Sequence, residues 1–358
     1  MSSDAHRSEE HFEADGNAAP AVPFITVSVI LVSYQTREVL RECLRLVERE
    51  LRTMEFSGGG SGDVLVVDNC SSDGSAAMVA EEFPWVRLFR SEVNLGFGGA
   101  NNLALRAATG RFLLLLNSDA FLEPGVLTET ITRMNAAPEV GIGGVAQVGR
   151  DGSRQPSARR FHSLWRDAMM MTGLAECFRE SRLWGRLCGG LDRRWSNATS
   201  AVDVDWIPGA FLLIRREVLD SVGLFDCKLF LYLEEVDLCR RTILAGWKIR
   251  YWPDLKVIHL GGESSKSVNA SLDSPPSHQV VLWQMRSTLL YYRKWHGITA
   301  AGAAALEIGL YGLRWLRNRW SHSPQRRIRA RHAAQFVALM RQAWRDTRGG
   351  RVSPQQPW

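Results

Sequence analysis

The chain has 358 residues, 45% hydrophobic and 23% charged, proportions that exclude a disordered or fibrous protein. A net charge of +6 is too small to mark a nucleic-acid binder. Its distribution is more telling. Residues 286–358 hold 14 Lys and Arg against two acids, Glu307 and Asp346, so a tail of +12 follows a body of −6. Such a tail suits a negatively charged surface.

Residues 1–23 are polar and acidic and read as a disordered tail, with no apolar core for a secretory signal. Thr26–Ser33 is a near-continuous β-branched run and predicts a buried strand. Thr36 is placed to cap a helix in which Val39, Leu40, Cys43, Leu44, Val47 and Leu51 recur at helical spacing. After a break at Gly58–Gly62, a second strand is expected over Asp63–Val67, a short helix near Ala76–Glu82 and a third strand over Trp85–Arg90. A helix from about Gly99 to Ala108 leads to a fourth strand, Arg111–Leu116, and Pro124 opens a helix that stops before Pro138. This alternation implies a mostly parallel α/β sheet with helices on both faces. Beyond it, Asp151–Ala201 reads as irregular, Trp206–Ile214 as a strand and Arg216–Val222 as a short helix. Glu234–Ala245 reads as a helix, Lys248–Trp252 as a strand, and everything from Gln279 as helical. Six scattered cysteines without a C-x-x-C pair oppose a zinc ribbon and fit a reduced, cytosolic setting.

In an open α/β sheet, ligands bind beyond the carboxyl ends of the strands. Those ends are polar here: Val32-Ser33-Tyr34, Asp68-Asn69, the glycine-rich stretch from Asn94, and Asn117-Ser118-Asp119. A carboxylate such as Asp68 accepts hydrogen bonds from a base or ribose, and Tyr34 offers a ring for stacking. Asp119 suits Mg²⁺ or Mn²⁺ where a diphosphate also arrives. Each motif alone is also explained as turn or cap chemistry. Their placement at four successive strand ends is not. The glycines do not form G-x-G-x-x-G after the first strand, which opposes a dehydrogenase.

The series VSVILVSYQ, VLVVDNCSSDGS, NLGFGGANN, LLLLNSDAFLEPG, WIPGAFLLIRREVLDSVGLFD and FLYLEEVDLCRRTILAGW resembles family 2 of the inverting glycosyltransferases, with the GT-A fold, over residues 25–265. Within that family it is similar to bacterial rhamnosyltransferases, as the segment from Asp151 to Arg159 and His259 with Ser264-Ser265 suggest. The resemblance implies a catalytic domain over 24–265, split at residue 120 into nucleotide-binding and acceptor halves. It implies that Val32, Ser33 and Tyr34 hold the base, that Asp68 binds base or ribose, and that Asn94 and Asn117 lie by the nucleotide. Asn117-Ser118-Asp119 matches the D-x-D motif with Asn in first place, leaving Asp119 as the metal residue and His259 beside metal or diphosphate. Glu234-Glu235-Val236-Asp237 matches the family's E-D-x-D signature. It assigns the general base to Glu235, with Glu234 and Asp237 as alternates. Trp206 and Gly209 fall on the acceptor side. Arg240 and Arg241 read as a solvated face.

The resemblance further implies a dTDP- or UDP-linked donor, such as dTDP-L-rhamnose, and a lipid-linked or polysaccharide acceptor. Residues 278–348 would form a basic helical appendage and 349–358 a short tail. Six of the 13 tryptophans lie beyond residue 280, and cationic helices with Trp and Leu suit an anionic membrane surface. The expected location is therefore cytoplasmic, peripheral on the inner face of the cell membrane. Trp295–Leu313 is a weak candidate for a span. No nucleic acid is expected, and a homodimer is left open. The rival readings are a non-catalytic binder of nucleotide sugar or glycan, raised by Asn117 and Glu235, and a nucleotidyltransferase.

Overall fold

The computed structural model describes residues 25–174, 200–261 and 278–354. The 1–23 tail, Cys177, Cys188, Ser264-Ser265 and the last four residues lie outside them.

Ten strands make one mixed sheet among the described residues. Strand β1 (Ile25–Ser33) lies centrally, parallel to β2 (Ser61–Asp68) on one side and β4 (Phe112–Asn117) on the other. β3 (Arg87–Arg90) extends that edge in parallel. Beyond β4 come β9 (Phe211–Arg215), antiparallel, then β6 (Val140–Val148), β10 (Lys248–His259) and β5 (Ala120–Leu122). β7 (Arg154–Gln155) pairs with β6, and β8 (Val202–Asp203) with β10.

Period-two alternation assigns each strand's residues to two cores. Val27, Val29, Leu31, Leu114 and Leu213 face one layer, where they meet Leu40, Leu44 and Val47 of α1 (Arg37–Phe56). Helices α2 (Ser75–Glu82) and α4 (Val126–Ala136) complete that layer. Ile30, Leu115 and Leu212 face the other layer. There α3 (Gly96–Leu105), α6 (Arg216–Val222) and α7 (Glu234–Leu244) pack.

Several expectations need correction. Thr36 stands at the start of α1, but its side chain does not cap the helix. Asp73 does so across the sheet end, accepting from the Arg37 N–H at 2.9 Å. Val140–Val148, read as neither helix nor strand, is a fully buried strand. Three glycines dilute its β-branched signal, and Trp252 and Ile207 pack over two of them. The strand expected over Trp206–Ile214 begins only at Phe211. Arg241 is no solvated residue: it binds Asp237 and the carbonyls of Val222, Gly223 and Leu224. Arg240 lies over the Trp295 ring at 4.7 Å.

The remaining described helices are α5 (Leu164–Thr172), α8 (His278–His296), α9 (Thr299–Asn318) and α10 (Pro324–Asp346). α8 is part of the body rather than an appendage, because Tyr291 and Tyr292 belong to the second core. Its other face joins Met340 and Ala343 of α10 in a small third core. The helix break at Gly297 (φ +61°) interrupts the Trp295–Leu313 stretch. No helix among the described residues is long and apolar enough to cross a membrane.

Candidate active site

Register brings the polar strand ends together. Ser33 of β1 pairs with Asp68 of β2, and Val32 pairs with Asn117 of β4. His259, the last residue of β10, pairs with Ala120 of β5, and the Asn117 N–H donates to Ala210 just before β9. The outcome is a cleft of about 330 Å³. Val32, Tyr34, Asn94, Asn117, Asp119, Gly209, Glu234, Glu235 and His259 all line it.

A chain of hydroxyls fixes the Asn117–Asp119 turn. Ser33 and Thr36 share a hydrogen bond of 3.0 Å, and Thr36 Oγ1 donates to Ser118 Oγ at 3.1 Å. Cys43 Sγ, on α1, donates to the Ala120 carbonyl. Ser33 therefore acts through the turn rather than lining the cleft. Asp68 is buried with Oδ1 unpartnered, and burial pushes its carboxyl up. Its neighbour Asn69 lines the cleft and donates to Asn94 Oδ1 at 3.0 Å. Asn94 Oδ1 also accepts from the Gly96 N–H. Gly96 has φ +71°, and any side chain there would strike the Phe230 carbonyl.

Asp119 and His259 face each other, Oδ1 to Nε2, at 3.4 Å. Gln155 Nε2 donates to the His259 carbonyl at 2.7 Å, so its Oε1 is the atom 2.9 Å from His259 Nδ1. That network places a proton on Nδ1, so that in the Nδ1–H tautomer Nε2 turns its lone pair toward Asp119. Two acceptors then point at one another, a donor set that fits a divalent cation, with Gln155 orienting the histidine. Among the described residues there is no cluster of three or more His, Cys, Asp or Glu side chains ready to hold a metal.

Opposite this pair stands the start of α7. Tyr232 (φ +69°) and Leu233 (φ +70°) are consecutive non-glycine residues in the left-handed region, a strained entry that aims Glu234 and Glu235 into the cleft. Each glutamate keeps a buried Oε2 without a hydrogen-bond partner. Burial, then the Glu235 charge, raise Glu234 well above the usual carboxylate range. Burial also raises Glu235, but its own N–H, Arg159 and His162 favour its charged form. Burial thus raises both carboxyls, and only Glu235 has nearby cations that favour its charged form.

Asp237 does not share the cleft. It is fully buried, bound to Arg241 through Oδ2, and to Trp295 Nε1 and Lys294 through Oδ1. Trp206 also lies away from the lining, its indole N–H bound to the Arg160 carbonyl and its ring under Arg159. Gly209 does line the cleft, and a side chain there would meet the Phe97 ring at 2.9 Å.

Sequence reasoning assigned no role to Asn69, Gln155, the Phe230–Tyr232 wall, or Val280 and Trp283 of α8. All but Gln155 line the cleft. Asn69 and Gln155 at least fall within segments that the sequence singles out. An apolar wall from a helix some 50 residues after the glutamates carries no local signal.

Residues 28–193 match the family model described as Glycosyl transferase family 2. The chain is 30% identical over 232 residues to the N-acetylglucosaminyl-diphospho-decaprenol L-rhamnosyltransferase of Mycobacterium tuberculosis (strain H37Rv), covering 60% of this chain and 71% of that one. It is 33% identical over 88 residues to the rhamnosyltransferase WbbL of Escherichia coli (strain K12), covering 25% and 30%. Among solved structures, the mannosyltransferase PcManGT from Pyrobaculum calidifontis, in complex with GDP-Man and Mn²⁺, aligns with TM-score 0.47 at 18% identity over 90% of this chain and 88% of that chain.

Proposed function

The chain belongs to glycosyl transferase family 2 and is a glycosyltransferase, and from that premise we propose that it transfers L-rhamnose, with inversion, from dTDP-L-rhamnose to a sugar on a polyprenyl diphosphate carrier. The observation that carries the reaction type is the Glu234–Glu235 pair, with unpartnered buried oxygens, facing the same cleft as Asp119 and the strand-end polar groups. The mycobacterial relative's name supports the sugar and the acceptor class.

In this reading Tyr34, Asp68 and Asn94 receive the nucleotide, and Asn117 hydrogen-bonds without adding charge. Asp119 and His259 would hold Mg²⁺ or Mn²⁺, which neutralises charge on the leaving diphosphate. Ionised Glu235 takes the proton from the acceptor hydroxyl as that oxygen attacks the anomeric carbon from the face opposite the nucleotide. The test is transfer by purified protein across a panel of nucleotide sugars with Mn²⁺. Turnover with dTDP-L-rhamnose alone is expected; a chain that turns over none of the panel ends the reading.

The same proposal places the enzyme against an anionic membrane. Leu313, Leu316, Trp320 and Ile328 are exposed on α9 and α10 and the turn between them, with exposed Arg317, Arg326 and Arg327 around them. Arg319 stacks on Trp320 at 3.6 Å. Apolar residues ringed by cations are what an interfacial surface requires. A Leu316→Ser, Trp320→Ser variant is expected to lose most of its flotation with phosphatidylglycerol vesicles while keeping transfer to a soluble acceptor analogue. Undiminished flotation contradicts this surface assignment.

A further inference from the structure

The loop before α7 serves two cavities. Phe230–Tyr232 face the cleft, while Asp226, Lys228 and Leu229 line a second cavity of about 360 Å³. α8 closes it with Leu290, Arg293 and Lys294, and the C-terminal turn with Gly350 and Arg351. Four cationic side chains therefore surround one acid, which is already satisfied: Asp226 Oδ2 accepts from Lys294 at 2.8 Å. Lys294 also meets Asp237 at 2.7 Å. Lys228, Arg293 and Arg351 pair with no carboxylate among the described residues. The one side-chain bond of Arg351 reaches the Arg348 carbonyl at 3.4 Å.

The backbone is shaped to assemble this group. Arg348, Gly349 and Gly350 are three consecutive left-handed residues (φ +48°, +67° and +80°), a costly conformation for arginine. A side chain at Gly350 would strike the Leu289 carbonyl of α8, so the turn seats directly on that helix. Thr347 Oγ1 accepts from the Gly350 N–H at 3.0 Å, and Ser353 Oγ donates to the Lys228 carbonyl at 2.8 Å. The fold-back thus brings Arg351 to the same cavity as the exposed Lys228 and half-buried Arg293, a cluster of like charges that attracts an anion. The buried Leu229 and Leu290 lower the local dielectric and strengthen such binding. Guanidinium forks match phosphate oxygens in bidentate fashion.

We propose that this cavity is a phosphate-binding subsite, separate from the cleft, which takes a phosphomonoester or diphosphate group, free or on a lipid headgroup. It does not rest on the sugar-transfer reading. The experiment is calorimetric titration of the full chain with inorganic pyrophosphate at low salt and without divalent metal. Wild type, Arg293→Ala/Arg351→Ala, Arg293→Lys/Arg351→Lys and Asp119→Ala are compared. The alanine pair is expected to weaken pyrophosphate binding at least ~10-fold, since a single charge-assisted hydrogen bond to phosphate is worth about that factor. The lysine pair, which keeps the charge without the fork, loses less than the alanine pair, and Asp119→Ala leaves the affinity unchanged. Unchanged affinity in the alanine pair, or loss in Asp119→Ala, overturns the proposal. The lysine pair keeps the test decisive should the alanine pair fold poorly: binding that survives there only while the charge is kept supports the site, and binding lost there overturns charge as its basis. Parallel titration with monomeric short-chain phosphatidic acid, whose headgroup is a phosphomonoester, separates the sources. An affinity above that for pyrophosphate, abolished in the alanine pair, assigns the subsite to a lipid headgroup; a lower one assigns it to free phosphate.

Discussion

Glu235→Gln is expected to lower kcat for sugar transfer by ~10²–10⁴-fold, the range general-base catalysis supplies, with nucleotide-sugar binding unchanged. The substitution keeps shape and hydrogen bonding but removes the group that accepts the proton. Glu234→Gln, in contrast, leaves the assigned base in place and is expected to cost far less. The pH profile carries the same assignment. Burial raises Glu235, so its ionised form, and the rate with it, is lost as pH falls through a value above the ordinary carboxylate range. Arg159 and His162 favour the charged form, so His162→Gln moves that acid limb to still higher pH. Steady-state kinetics against pH, with donor affinity measured by calorimetry, check each point. Full activity in Glu235→Gln, with loss in Glu234→Gln, would transfer the role to the neighbouring acid.

Asp119→Ala is expected to remove metal-stimulated transfer, a loss of ~10²–10³-fold or more in kcat/KM, as for other groups that stabilise developing charge. Asp119 is the only acid of the Asn117-Ser118-Asp119 turn, and nothing else on that turn can replace its charge. Gln155→Leu tests the support behind it. With neither amide oxygen nor amide nitrogen to hold His259, the ring loses its assigned tautomer, and metal affinity falls by ~10–100-fold, as for other groups that orient a ligand. Mn²⁺ titration of donor binding and of activity reads both. Unaltered metal dependence in Asp119→Ala would rule out this carboxylate as the metal residue.

The nucleotide half was legible because its elements are local. β1, α1, β2 and β4 are each encoded by a continuous period, and each strand ends on a polar residue that reads directly as a site residue. The acceptor half was less legible. β6 is rich in glycine because Trp252 and Ile207 occupy the space over it, a reason that exists only once strands distant in sequence are neighbours. Asp237 and Trp206 show the converse: both sit in recognisable motifs, yet packing turns them away from the cleft.

Sequence alone therefore determined the fold class, the family and the acidic motif from which the proposed base is drawn, because periodicity and motif order are properties of the chain. Tertiary structure decided the rest. It placed Glu234 and Glu235, but not Asp237, in the cleft, and buried both, with Arg159 and His162 favouring the charged form of Glu235. It set Gln155 behind His259 and brought Trp283 to the cleft wall from a helix that composition marked only as basic. The +12 tail divided in the same way: α8 became core because its apolar residues meet the sheet's second layer, while most cations of α9 and α10, with Lys294, Arg348 and Arg351, stay exposed. Burial and the field at a side chain depend on residues that only folding brings near it, and no local pattern encodes them.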